Sequence, residues 1–276
     1  MKILIVDGNE KNTSDKYIKL GMSTQFQVYE EILQNLFNKN LNITTIHPAC
    51  LSNYLPKGLA LSDVDGFVWT GSALNIYDSG PSIERQIELA KHIFQYKNKI
   101  FGSCWGLQVL ATAAGGKIRK NPKGLEAVIA KDIIINNSGL NHPMYESKPA
   151  KFDAFCWHYD EVELLPPNTD VHASNNVSNV QSFSFSKGNS EIWAVQYHPE
   201  FNPKWISGLM NQRKSNLLEE GVYKDVNEFN CMFSYLSDIE KFANLGEELN
   251  ISKTLINQKV HTLELFNWLK YLKKSI

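Results

Sequence analysis

The chain has 276 residues, 43% hydrophobic and 21% charged, with 28 Lys and Arg set against 29 Asp and Glu. This ordinary globular composition gives no electrostatic reason to expect nucleic acid or an anionic membrane as partner. No apolar run approaches the roughly 20 residues of a membrane-spanning helix, and the scattered Cys50, Cys104, Cys156 and Cys231 show neither a disulfide framework nor metal-ligand spacing.

The first element, KILIVDG at 2–8, is a continuous apolar run closed by Asp-Gly, which predicts a strand buried on both faces. No small-residue cleavage site follows it, so it reads as a strand and not as a signal peptide. Residues 9–23 are polar without a sustained period and read as a long loop. It either covers a site near the first strand's end or lies on the surface. From 24 to 39, Phe26, Tyr29, Ile32, Leu33, Leu36 and Phe37 fall at helical spacing, with Thr24 as N-cap. NITTIHP is a short strand, 65–72 another apolar strand running into Gly-Ser, and 81–98 an amphipathic helix opened by Pro. The strand KIFGS and a helix from Gly106 to Ala114, stopped by Gly115-Gly116, complete an alternating half.

Strand and helix in alternation predict an α/β fold: an open, mostly parallel sheet with helices on both faces. From 126 onward short β-rich pieces predict antiparallel additions. After HPEF the chain turns helical, with Val260, Leu263, Phe266 and Leu269 at helical spacing. These C-terminal helices read as packed on the domain, with docking of a partner or a second copy as the sharper alternative.

Cys104 stands in the knot GSCWG between a strand and a helix. Such a cysteine is either a packed apolar residue or a nucleophile. A helix N-terminus favours the thiolate, and first-turn N–H groups can hold an oxyanion. A nucleophile needs a base, and the base an orienting partner. Of seven histidines, His198 ends the apolar strand IWAVQY and has Glu200 two positions on, the same-face spacing of extended chain. Cys104 and His198 both fall at strand ends, where an open α/β sheet forms its ligand crevice.

GSCWGLQ, with VQYHPE 94 positions after the cysteine, resembles the class I (triad) glutamine amidotransferases over about residues 1–210. The nearest flavour is the stand-alone relatives of the GMP synthase glutaminase domain. GSCWG also resembles the γ-glutamyl peptidase branch. The resemblance implies a flavodoxin-like fold at 1–210, leaving 211–276 as a helical extension. It implies that Cys104 attacks the γ-carboxamide of glutamine or a related γ-glutamyl bond, that His198 shuttles the proton and that Glu200 orients His198. It places oxyanion N–H donors at Gly71 or Ser72 and at Trp105, although Ser72 and Ala73 depart from the family's Ser-Gly-Gly-Pro. It puts substrate contacts at Gly106, Gln108, His158 and Asp160, Tyr159 replacing the glycine of the family's Ser-His-Gly-Asp. No phosphate-binding loop occurs. No ATP-driven acceptor site is therefore expected, nor is a cofactor or a metal. The partners are a small-molecule substrate and, for a glutaminase, a synthase that accepts the ammonia. The expected compartment is a reducing cytoplasm. A reading from another class, a non-catalytic interaction module, leaves unexplained why nucleophile, base and orienter remain together.

Overall fold

The computed structural model describes residues 1–275. Five strands form the parallel half of its main sheet: β1 (Lys2–Val6), β2 (Asn42–Ile46), β3 (Gly66–Trp69), β4 (Lys99–Ser103) and β11 (Ser190–Val195). They lie in the order β2-β1-β3-β4-β11, and their apolar runs are buried on both faces as such runs require. The sheet continues antiparallel through β10 (Ser182–Lys187), β9 (Asp170–Ser174), β6 (Glu126–Ile135) and β7 (Lys151–His158). A separate two-stranded ribbon pairs β5 (Lys117–Lys120) with β8 (Asp160–Leu164). The expected flavodoxin-like core with antiparallel additions is what forms.

One face of the sheet packs on α3 (Pro81–Ile93) and α4 (Trp105–Ala113). The other packs on α2 (Gln25–Leu36) and α12 (Leu263–Lys273). Thr24 caps α2 in a full capping box with Gln27, so this helix starts where its sequence placed the cap.

Three expectations need correction. Residues 9–23 are not a loop: α1 spans Lys11–Lys19. It buries only Tyr17, so it shows no apolar stripe to the eye, and it ends at Gly21 with φ +69°. The last helix does not bury Phe266, which is 42% exposed. Its inner row is Leu265, Trp268, Leu269 and Leu272. Trp268 and Leu272 crowd Gly66 of β3, where a Cβ would lie 2.6 Å from Leu272 Cδ2. The large indole faces the sheet, and the face turns with it. Third, the strand before His198 ends at Val195, so 198–200 is a turn, not extended chain.

The C-terminal helices pack into the body of the molecule. After α6 (Pro203–Gln212) come α7 (Lys214–Glu219), α8 (Val226–Ser237), α9 (Ala243–Glu248), α10 (Lys253–Ile256) and α11 (Gln258–His261). Helices α6 to α10 form a third apolar cluster with Tyr17, Val28, Phe155 and Phe201. Beneath α12 lies a buried pair: Lys148 Nζ donates to Glu264 Oε2 at 2.9 Å, and Tyr197 OH to Glu264 Oε1 at 2.6 Å. An ion pair out of water is tolerated only when its remaining lone pairs find donors, as Tyr197 supplies here. This fixes the residue immediately before His198 to the extension.

Candidate active site

β4 and β11 are neighbours in register, Ser103 opposite Val195, and both leave the sheet at the same edge. Cys104 follows β4 directly, and its N–H bonds the Val195 carbonyl at 2.8 Å. Cys104 then turns sharply into α4 with φ +50° and ψ −103°, a conformation rare outside glycine and of order 1–3 kcal/mol in cost. Gly102 permits that turn, since a Cβ there would meet Gly106 at 2.8 Å. The result lifts Sγ off the sheet edge, with the free N–H groups of the α4 first turn beside it.

His198 and Glu200 come off the neighbouring strand. His198 Nδ1 lies 2.7 Å from Glu200 Oε1, both nearly fully buried. A carboxylate only accepts, so Nδ1 carries the proton and Nε2 is left basic. The bond expected from i, i+2 spacing is present although a turn, not a strand, makes it. His198 is further fixed by its N–H to the Phe155 carbonyl, 2.7 Å, and by stacking on Phe201 at 3.9 Å and 7°. Behind Glu200 runs a chain the sequence did not reveal. Ser103 Oγ donates to Glu200 Oε1 at 3.1 Å, and Tyr29 OH donates to Ser103 Oγ at 2.6 Å.

Cys104 and His198 line one cavity of about 320 Å³. Ser72, Trp105, Gln108, His158 and Asp160 line it too. Asn9 ties down the loop that carries Ser72, its carboxamide reaching the Gly71 carbonyl at 3.4 Å and accepting from the Ala73 N–H at 3.1 Å. Gly71 adjoins His198: a Cβ at Gly71 would stand 2.7 Å from His198 Cε1. Gly106 does not face substrate but brings α4 against β3, 2.6 Å from the Trp69 carbonyl oxygen for a Cβ. His158 has both ring nitrogens engaged, Nε2 with Glu126 at 2.8 Å and Nδ1 with the Asp160 carbonyl at 3.0 Å. It braces the site and has no nitrogen to spare for a ligand. Asp160 accepts from Tyr77 OH at 3.0 Å, and burial raises its carboxyl pKa.

The thiol differs from expectation. Burial, then the negative charges of Glu200 and Asp160, push the Cys104 pKa well up, and the Trp105 N–H only partly offsets them. The resting group is therefore a thiol, donating to the Trp157 carbonyl at 3.6 Å. Any reaction of the thiol requires that proton to leave, and His198 lines the same cavity.

Sequence reading also missed Gln25, Tyr17, Leu209, Arg213 and Asn216, which line the cavity from α1, α2, α6, α7 and the junction between α6 and α7. No local motif marks them. The two indoles near Cys104 are held by one residue, since Gln86 Oε1 accepts from Trp105 Nε1 at 2.8 Å and from Trp69 Nε1 at 3.0 Å.

The model of the family "Glutamine amidotransferase class-I" matches residues 8–211. The chain belongs to that family. This glutamine amidotransferase is 31% identical to a γ-glutamyl-L-1-hydroxyisopropylamide hydrolase of Pseudomonas sp, over 99% of this chain and 93% of that one. It is 29% identical to γ-glutamyl peptidase 3 of Arabidopsis thaliana, over 63% of this chain and 70% of the relative. With the glutamine-hydrolysing GMP synthase subunit of Methanobrevibacter smithii it shares 27% over 53% of this chain and 72% of the relative. The crystal structure of a Thermotoga maritima glutamine amidotransferase superposes with a TM-score of 0.67 at 16% identity, covering 99% of this chain and 97% of the other, a likeness of fold. As a member of this family the chain is an amidohydrolase acting on a small molecule. Among the described residues, no helix is long and apolar enough to cross a membrane.

Proposed function

We propose that this glutamine amidotransferase hydrolyses N-substituted γ-glutamyl amides of small amines, using Cys104 as nucleophile, His198 as proton shuttle and Glu200 as orienting carboxylate. Cys104 Sγ attacks the γ-carbonyl carbon while its proton passes to His198 Nε2. The oxyanion meets the N–H groups of Trp105 and of Gly71 or Ser72. The C–N bond then breaks as His198 returns the proton to nitrogen, releasing the amine and leaving a γ-glutamyl thioester. Water attacks that thioester, giving a proton to His198. The C–S bond breaks, glutamate leaves, and sulfur recovers its proton. Gln108 and Asp160 are placed to receive the α-amino-acid end.

The observation that carries this reading is the cavity wall formed by Tyr17, Leu209, Arg213 and Asn216. A substituted amine must be housed within that cavity, and these side chains give it a surface to lie against. The volume sits at the low end of the roughly 300–1,000 Å³ typical of ligand pockets, which suits a small amine. The Pseudomonas relative, aligned over nearly the whole chain and named for such an amide, supports the same reading. The extension 211–276 then belongs to the catalytic unit, and a reducing cytoplasm suits a nucleophile that must stay a free thiol.

Glutamine hydrolysis with ammonia passed to a synthase is the second reading, favoured by the likeness to the glutamine-hydrolysing GMP synthase subunit of Methanobrevibacter smithii. Glutamate release from γ-glutamyl-ethylamide and from glutamine, each beside Cys104→Ala, separates the two. Our reading requires the ethylamide to be the better substrate by kcat/KM. Turnover of glutamine alone would overturn it in favour of an ammonia donor.

A further inference from the structure

One polar atom in the cavity has no role in the mechanism above. Gln25 is the first residue of α2, 6% exposed, and its Oε1 has no hydrogen-bond partner. Buried acceptors are almost always paired, so an orphan lining a substrate cavity marks a place for a donor. Its position is specific. Oε1 stands 2.7 Å from the point a Cβ on Gly71 would occupy, and His198 Cε1 stands 2.7 Å from that same point. The acceptor therefore lies beside the proton shuttle and the oxyanion loop.

An acceptor at that place cannot stabilise the oxyanion, which itself needs donors. It must address a hydrogen on the other heteroatom of the scissile group. His198 delivers its proton to the leaving nitrogen, so that nitrogen lies on the His198 side, where Gln25 is. We propose that Gln25 Oε1 accepts the N–H of the scissile amide and thereby turns the nitrogen lone pair toward His198, making Gln25 a catalytic residue for breaking the C–N bond. The inference rests on the γ-glutamyl amide reading above and adds the group that recognises its amine side. No bond to Gln25 forms or breaks. The N–H stays on nitrogen while the lone pair receives the proton from His198 Nε2, and the amine departs with both hydrogens. The fold holds the carboxamide in place from two directions: the Thr24 capping box fixes its backbone, and Tyr17 lies beside it. Burial raises the Tyr17 hydroxyl pKa, and the adjacent Gln25 amide pulls it back.

An ester lacks the N–H, which supplies the test. kcat/KM for γ-glutamyl-ethylamide and for the γ-ethyl ester of glutamate counts only steps up to the acyl-enzyme, so deacylation does not enter. Gln25→Met keeps the length of the side chain and removes the acceptor. Gln25→Ala serves as a second, smaller variant, and thermal melts establish that the proteins compared are folded. The amide value should fall about tenfold, the worth of one oriented hydrogen bond in the transition state, while the ester value stays within about threefold of wild type. Equal losses on amide and ester, or no loss on either, would overturn the role of Gln25 alone. Wild-type enzyme that releases no glutamate from the amide would overturn the reading of the site on which the role rests.

Discussion

Replacing Gly71 by alanine adds one methyl group at the point where the Gly71 loop meets His198, the base of the proposed mechanism. That carbon would lie 2.7 Å from both His198 Cε1 and Gln25 Oε1, where ordinary contact begins near 3.4 Å. Gly71 does not have a positive φ, so alanine brings crowding without backbone strain. The imidazole has little room to yield: Glu200 holds it at 2.7 Å, Phe201 stacks on its face, and the backbone N–H of His198 is tied to the Phe155 carbonyl. Either the ring or the loop must move by several tenths of an ångström. Displacements of about 1 Å in a catalytic group cost on the order of a hundredfold. Gly71→Ala should therefore lower kcat for glutamate release by roughly 30- to 100-fold, about 2–2.7 kcal/mol in barrier. Overpacking of this kind destabilises a fold by about 1–3 kcal/mol, so the variant should stay folded. Steady-state kinetics beside a denaturant melt measures both. Activity within threefold of wild type would refute the placement of Gly71 against His198.

Other consequences follow from the same geometry. Glu200→Gln keeps the shape but offers Nδ1 an amide in place of an anion, and kcat should drop about 10²- to 10⁴-fold with the fold intact, read by kinetics and circular dichroism. Tyr29→Phe removes only the outermost hydroxyl of the chain behind Glu200. It should cost about 1 kcal/mol of stability and less than tenfold in kcat, checked by urea melts and kinetics. His261, buried with its Nε2 on the Phe201 carbonyl at 2.8 Å, has its pKa lowered to about 3, chiefly by burial and then by Lys148. An unfolded histidine titrates near 6.5. Below that pH the unfolded chain binds the proton first, so stability falls at about 1.4 kcal/mol per pH unit as pH drops toward 3. Melts of His261→Gln between pH 7 and 4 should show a flatter acid limb than wild type.

Much of this was legible because the apolar runs and the two motifs are local. KIFGSCWG specifies a strand, a sharp turn and the start of a helix within a dozen residues, and HPE places a carboxylate two positions from its imidazole. Other features depended on contacts distant in sequence. α1 buries one side chain, Tyr17, against Trp205, nearly 190 residues away, and so shows no period. Phe266 shares helical spacing with Leu263 and Leu269, yet the packing of Trp268 and Leu272 on Gly66 decides which row turns inward. The raised thiol pKa arises from burial among Glu200 and Asp160, which the chain brings together from positions 96 and 56 residues along. Tyr29, Ser103 and Glu200 likewise meet only in the folded sheet.

The central claim is that Cys104 carries the γ-glutamyl group between the two halves of the reaction. Acid-quenched enzyme, sampled during turnover of γ-glutamyl-ethylamide and digested for mass spectrometry, tests it directly. One γ-glutamyl group should appear on the peptide containing Cys104 and be absent from Cys104→Ala. Steady glutamate release by the Cys104→Ala protein, or the adduct on Cys50, Cys156 or Cys231, would contradict it.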